Sequence, residues 1–288
     1  MPWKKEKNTG SCRKEVFHVK QRRMDYHLHT LHSFDGRQTL DELCRTMVEK
    51  GVEEICLTEH IEPGHPDPTC DVLPIWDAVF QEVREARQRY PQLMIRTGVE
   101  IGDNPQCREA IMKDLDTLPL DFHLLSLHLV NGVDCYCASD YFDGKTRKQA
   151  YREYAEAKVN SVTCWTDFDS VAHIGYVAKF SIYQGEERPL RYEDAPDAFD
   201  TLLKYVIAQD KCIEVNTSGY ASTGDTLPHS SILRRYIKLG GENFTFGSDS
   251  HDTARDYDGI ERSKEAVRAM GGKYQASFDK RKRTLYRI

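Results

Sequence analysis

Tyr26, Leu28 and Thr30 alternate with Asp25, His27 and His29 in a six-residue run, and Ser33 and Asp35 follow close behind. A period of two is the pattern of a strand, in which every second side chain points to the same side. Both imidazoles therefore project together, an arrangement that is costly in a plain core and suits a metal ion. His-x-His on its own is a weak motif. What gives it weight is recurrence: His60, Glu100, His128 and His173, and then Asp249 with His251, stand at the ends of later strand-like segments. Of the eleven histidines, six fall at such ends, while His18, His65, His123 and His229 fall outside the pattern and read as surface, loop or core residues. Imidazole with carboxylate is the donor mixture expected for zinc, iron or manganese and not for calcium. So many donors exceed the four of a structural zinc site, which implies two or three divalent metal ions with open positions. The competing reading is a buried polar network without metal. It would need hydrogen-bond partners, and the set offers few beyond its own members.

The segments between these residues are built to position them. Thr39 with Glu42 has the spacing of a capping box, and Leu40, Leu43, Met47 and Val48 give the helix it opens an apolar face that stops at Gly51. Strand-like runs at 55–58, 93–99, 122–127, 169–172, 212–215 and 244–247 alternate with helix-like runs at 74–90, 107–118, 145–164, 194–209, 230–239 and 262–270. A longer polar connection, 131–144, interrupts the rhythm. With the opening strand this makes seven strands, most followed by a helix, which predicts a parallel sheet closing into a barrel. In such a barrel the C-terminal strand ends form one rim, so donors scattered over the chain converge on a single pocket.

No linker or shift in composition divides residues 24–288, which read as one domain. Residues 1–23 crowd Lys4, Lys5, Lys7, Arg13, Lys14, Lys20, Arg22 and Arg23 against Glu6 and Glu15, and read as a basic, weakly ordered extension. The whole chain of 288 residues is 39% hydrophobic and 30% charged with a formal charge of −6, which argues against a partner held by phosphate neutralisation such as nucleic acid. No apolar run reaches membrane-spanning length and no signal peptide opens the chain. The nine cysteines show no disulfide framework, and Cys135-x-Cys137 lacks the gap of a zinc knuckle or redox motif. A reducing cytoplasm is expected.

With these residues aligned, the chain resembles the polymerase-and-histidinol-phosphatase (PHP) superfamily, and within it the monofunctional histidinol-phosphate phosphatases. The likeness runs from Met24 to the C-terminus. It is carried by His27-x-His29-Thr30, Thr58-Glu59-His60, Gly98-x-Glu100, Ser126-Leu127-His128, Ala172-His173-Ile174-Gly175 and Gly247-Ser248-Asp249-Ser250-His251. The resemblance implies an α/β fold, a distorted (β/α)7 TIM-like barrel, with a trinuclear metal site. His27, His29 and Asp249 would hold one ion, with Glu100 bridging to a second completed by His128 and His173. A third would take His60, His251 and Asp35, with His32 competing for the last place. Glu59 stands where relatives carry aspartate and is expected behind the ligands.

The implied activity is hydrolysis of a small phosphomonoester, L-histidinol phosphate, in histidine biosynthesis. Glu100 and Asp249 would be the catalytic carboxylates. Lys179 matches the family's phosphate-binding position, with Arg188 and Arg191 near enough to compete, and Asn216 would touch substrate or cap the following turn. Glu59, Glu62 and Asp103 are acidic candidates for reading a cationic leaving group. The alternatives are another phosphomonoester (a nucleotide, sugar phosphate or phosphoprotein) or a domain that uses metal only for stability.

Overall fold

Local signals place most elements. Thr39 accepts the N–H of Glu42 and the Glu42 carboxylate accepts the N–H of Thr39, the reciprocal cap expected from the spacing. Thr146 with Gln149 forms a second such cap. The computed structural model describes residues 17–18, 21–254 and 257–288. In chain order the first half holds β1 (Phe17–His18), β2 (Met24–Leu28), α1 (Leu40–Glu49), β3 (Glu54–Ile61), α2 (Trp76–Arg89), β4 (Met94–Gly102), α3 (Arg108–Leu115), β5 (Phe122–Ser126), β6 (Leu129–Val130) and β7 (Val133–Asp134). Then come α4 (Ala138–Phe142), α5 (Arg147–Cys164), β8 (Ser170–Val171), α6 (Tyr176–Lys179), α7 (Pro196–Ala208), β9 (Cys212–Asn216), α8 (Gly219–Thr223), α9 (Ser230–Lys238), β10 (Asn243–Gly247), α10 (Asp258–Met270), β11 (Tyr274–Asp279) and β12 (Lys282–Arg287).

The strands β2-β3-β4-β5-β8-β9-β10 lie side by side and parallel, the seven expected, with helices packed outside them. The ladder does not run all the way round. Between β10 and β2 there is a single bridge, Leu28 to Ser250, with the N–H of His29 donating to Ser250 O (3.0 Å) and that of Asp249 to His27 O (2.9 Å). Asp25 Oδ1 adds a stitch by accepting the N–H of Ser248 at 3.0 Å. Away from that rim, β10 pairs instead with β11, which carries the antiparallel β12. The hairpin Tyr274–Arg287 thus wedges the lower part of the barrel apart, and the sheet is a TIM-like variant without a closed ladder.

The wedge has a physical cause in the barrel interior. Tyr26 packs edge-on against Phe122 (5.2 Å between centroids) and beside Phe278 (6.3 Å), and its hydroxyl donates to Glu54 and accepts the N–H of Phe278. Tyr26 faces inward here although strict alternation from His27 would turn it out. The pairing of β2 with β3 shifts by one residue between Asp25 and Leu28, a bulge of the kind found beside active sites. The hairpin lies beyond Gly271-Gly272, where the sequence pattern gave no further element. Its turn at Lys280-Arg281 has φ of 49° and 64°, and those residue types carry none of the usual Asn-Gly signal.

Of the basic extension expected over residues 1–23, residues 1–16 and 19–20 lie outside the described residues. Phe17–His18 pairs with Leu285–Tyr286, and Arg22 forms an ion pair with the buried Glu54 at 2.8 Å. Among the described residues no helix is long and apolar enough to cross a membrane. Thr39→Ala removes one half of the α1 cap. It should lower stability by about 1 kcal/mol in urea unfolding while leaving turnover unaltered.

Candidate metal centre

Glu100 ends its run of inward-facing residues on β4 almost completely buried, and five imidazoles point at it. Its Oε2 lies 3.0 Å from His27 Nε2, 3.3 Å from His29 Nε2 and 3.2 Å from His60 Nδ1. Its Oε1 lies 2.8 Å from His173 Nε2 and 3.3 Å from His128 Nε2, and accepts the Ser126 hydroxyl at 2.5 Å. Asp249 Oδ1 stands 3.6 Å from His27 Nε2, 3.8 Å from His29 Nε2 and 3.6 Å from His251 Nδ1. Asp35 meets His251 Nε2 at 3.0 Å and His60 Nε2 at 3.7 Å. All nine residues singled out as metal donors therefore meet at one rim. His32 does not join them: it pairs with Glu82 on α2 at 2.7 Å.

The donors fall into four sets within chelating range: His27–His29–Asp249, His27–Glu100–His173, His60–Glu100–His128 and His29–His60–His251. The first is the set expected for one ion. In the others the partition differs from expectation: His128 and His173 are shared out with His60 and His27, and His29 joins the set of His60 and His251.

Whether these residues fit cations can be judged from their unmet hydrogen bonds. His29 Nε2, His60 Nδ1, His173 Nδ1 and Asp35 Oδ1 are buried without a hydrogen-bond partner. His29 also stacks at 4.2 Å on both His60 and His251. Each of the two orphaned nitrogens that face Glu100, His29 Nε2 and His60 Nδ1, costs about 1–3 kcal/mol in an apo network, a cost that a cation removes. With imidazole and carboxylate donors and no cysteine in any set, the site fits borderline divalent metals.

The charge distribution agrees with that. Burial pushes the Glu100 carboxyl up, but the surrounding imidazoles, His27 and His60 first, outweigh it and hold it well below the usual range. Burial likewise opposes ionisation of Asp249, and Lys179, His27 and His251 overcome it. Burial pushes both His27 and His29 down. Carboxylates reverse the shift at His27, whereas the neighbouring His251 and His60 reinforce it at His29.

A second layer of carboxylates fixes the rings. Glu214 Oε1 lies 2.6 Å from His27 Nδ1, and its Oε2 accepts the N–H of His173 at 2.7 Å. Glu62 Oε1 lies 2.7 Å from His128 Nδ1. With Nδ1–H donated outward, Nε2 of each ring is left as the inward donor atom. Glu59 accepts from the backbone and hydroxyl of Thr30 and from Ser33, whose hydroxyl lies 3.2 Å from His29 Nδ1, so Glu59 does stand behind the ligands. The glycine at 247 is required here, because a Cβ would overlap Glu214 Oε1 and the Cβ of His27. Sequence reasoning missed Glu62 and Glu214 as ring-orienting groups. The available signal was a carboxylate inside an apolar strand, Ile213-Glu214-Val215.

Lys179, on α6, lines the cleft above these residues and reaches Asp249 Oδ2 at 2.9 Å. Arg188 and Arg191 turn away, bracing the loop through backbone carbonyls of Ala178, Lys179 and Glu186. Asn216 is not among the residues lining the cleft. Its amide lies behind the rim, donating to Glu214 Oε2 (3.1 Å), and its Oδ1 caps the turn by accepting the N–H of Ser218. Of the two roles expected for Asn216, contact with substrate or capping of the turn, the hydrogen bond to Ser218 is the capping one. Asp103 is also engaged elsewhere, held by Arg108 and the Trp165 indole.

The family model for the PHP domain matches residues 25–218. The chain belongs to the PHP domain family. Asp249 and His251 lie past the matched span and are brought to it only by the fold. A histidinol-phosphatase of Lactococcus lactis is 26% identical over 271 residues, covering 92% of this chain and 99% of that protein. A Clostridium acetobutylicum protein named "Probable histidinol-phosphatase" is 31% identical over 227 residues, 79% of this chain and 86% of its own length. Among solved structures, the Lactococcus lactis histidinol phosphate phosphatase complexed with zinc, L-histidinol and phosphate superposes with a TM-score of 0.85 at 25% identity, covering 91% of this PHP chain and 98% of that one.

Glu214→Gln keeps the size of the side chain but can present an amide N–H to His27. Chelator competition should show about 10–100-fold weaker metal binding with an unchanged circular dichroism spectrum. Wild-type affinity would mean that packing alone orients the ring.

Proposed function

We propose that this PHP-family chain is a metal-dependent phosphomonoesterase that hydrolyses L-histidinol phosphate to L-histidinol and phosphate. The observation that carries the chemistry is the convergence of five imidazoles on the single carboxylate of Glu100 beneath an open cleft of about 530 Å³. The substrate assignment is supported by the likeness to histidinol-phosphatases over most of the chain, including one whose crystal holds zinc, L-histidinol and phosphate.

Two or three divalent ions, zinc, manganese or iron, fit the donors. His27, His29 and Asp249 would hold one, with Glu100 bridging to a second at His128 and His173, and His60, His251 and Asp35 holding a third. Clustered cations supply a coordinated water of lowered pKa and screen phosphoryl oxygens. The barrier is large, since uncatalysed phosphomonoester hydrolysis leaves about 20 kcal/mol or more for an enzyme to remove.

The chain's own groups divide the remaining work. Glu100 sets the separation of the donors on its two oxygens, Oε2 facing three rings and Oε1 two. The Asp249 carboxylate is split in the same way. Its Oδ2 accepts from Lys179 and from the Ser218 hydroxyl (3.0 Å), which leaves Oδ1 facing His27 and His29. Asp249 adopts a left-handed backbone with φ of 56°, a conformation that aspartate tolerates better than most residues. The N–H that this turn directs at His27 O holds the carboxylate over the rim. Lys179 places an ammonium beside the donors, where a phosphate dianion would gain a charge-assisted hydrogen bond.

Two experiments test this reading. Glu100→Ala should lose both bound metal and turnover, and a metal-replete Glu100→Ala protein with normal activity would refute the role of the bridge. Wild-type protein with zinc, manganese or iron should turn over histidinol phosphate far more efficiently than a panel of other phosphomonoesters. Equal efficiency across the panel would reject the dedicated substrate.

A further inference from the structure

The cleft is lined by histidines and carboxylates at its floor but is of different character toward its mouth. A series of rings leads outward from the metal centre: Tyr176 lies 4.6 Å from His128 and 5.1 Å from His173, Phe180 lies 5.0 Å from Tyr176, and Tyr136 lies 4.9 Å from Phe180. Tyr136 is 65% exposed, an unusual setting for a ring that has packing partners to hand. Beside it the N–H of Tyr136 donates to Asp134 Oδ1 at 2.8 Å.

Asp134 is held from its other side by His65, whose Nε2 lies 3.1 Å from Asp134 Oδ2. The tautomer follows from the neighbouring turn. The N–H of Asp67 donates to His65 Nδ1 at 3.1 Å, so the ring proton sits on Nε2 and is given to Asp134. The arrangement aims a carboxylate, through backbone and ring donors and without a Lys or Arg partner among the described ion pairs, at the outer end of an aromatic face. A carboxylate offers about four acceptor positions, and two remain open.

We infer that the outer half of the cleft is the leaving-group subsite, where Tyr176, Phe180 and Tyr136 take a planar ring and the Asp134–His65 pair takes the positive charge that the ring or its side chain carries. The inference rests on the phosphomonoesterase reading and adds the residues that select the alcohol. A flat ring gains area and stacking on such a face, and a cation gains further from both the rings and the carboxylate. It also accounts for the acidic residues that do not serve. Glu62, Glu59 and Asp103 all spend their oxygens on histidine, hydroxyl, indole or guanidinium partners, and of Asp67, Asp134 and Asp252, which also line the cleft, Asp134 is the one joined to Tyr136 at the end of the aromatic series.

The test uses metal-loaded full-length protein and two readouts. In kinetics, Asp134→Asn should lower the ratio of kcat/KM for histidinol phosphate to that for p-nitrophenyl phosphate tenfold or more, with the loss in KM and not in kcat. In calorimetry, wild type should bind L-histidinol at least tenfold more tightly than the neutral 2-phenylethanol, and Asp134→Asn should erase that preference. Equal loss on both esters, which marks a structural support for the metal centre, or an unchanged ratio overturns the subsite. So does equal binding of the two alcohols by wild type. A wild-type protein that cleaves p-nitrophenyl phosphate and spares histidinol phosphate sinks the substrate reading instead, and the binding preference still decides the subsite.

Discussion

A carboxylate taken out of water into the middle of a barrel is unstable unless positive charge or donors surround it, and Glu100 has five imidazole nitrogens within 3.3 Å. No arrangement of protons satisfies such a crowd, because one carboxylate cannot accept from five rings at once and adjacent imidazolium ions repel. The orphaned nitrogens of His29 and His60 are the visible remainder of that conflict. Cations shared between the rings and the carboxylate resolve it. The rest of the structure can be understood as what is needed to bring these groups together and hold their orientation.

The barrel delivers them by putting the C-terminal ends of β2, β3, β4, β5, β8, β9 and β10 on one rim, and its closure is concentrated there. The hydrogen bonds joining His27, His29, Asp249 and Ser250 are among those that join β2 to the end of β10. Three of the metal donors, His27, His29 and Asp249, are thus also seam residues, so metal binding should tighten the seam. Below the rim the interior is filled by Tyr26, Phe122 and Phe278, and the bulge in β2 lets Tyr26 face that core while the histidines after it still face the rim. Behind the sheet Lys158 on α5 is buried with its ammonium donating to Leu125 O. Burial pushes it down to about 7 against the pull of Asp103, Glu100 and Glu214.

The sequence made legible what acts from a strand end. Eight of the nine donors stand at or just past the end of a strand-like run, and a parallel barrel sends every such position to one place. Asp35 over His32 followed from motif register, and the geometry separates the two, since His32 is drawn to Glu82 on a neighbouring helix. Apart from Glu59, which its motif marks, residues that act through another side chain were not legible. Glu214 touches His27 from 187 positions away, and Glu62 touches His128 from 66 away, and neither has a local pattern to mark its partner. For Asn216 the sequence left two roles open, because a strand-end amide looks the same whether it faces a cleft or caps a turn. The hairpin after Gly272 was missed because its turn residues are charged, and the bulge because a one-residue slip leaves no trace in composition.

The claim on which the account rests is that one carboxylate joins neighbouring cations. Crystals of the protein grown with zinc or manganese, with anomalous diffraction measured at the metal edge, test it most directly. The account predicts two or more peaks at this rim, with the two oxygens of Glu100 each within bonding distance of a different ion. A single peak, or peaks held by His27, His60 and His173 without Glu100 between them, would contradict it.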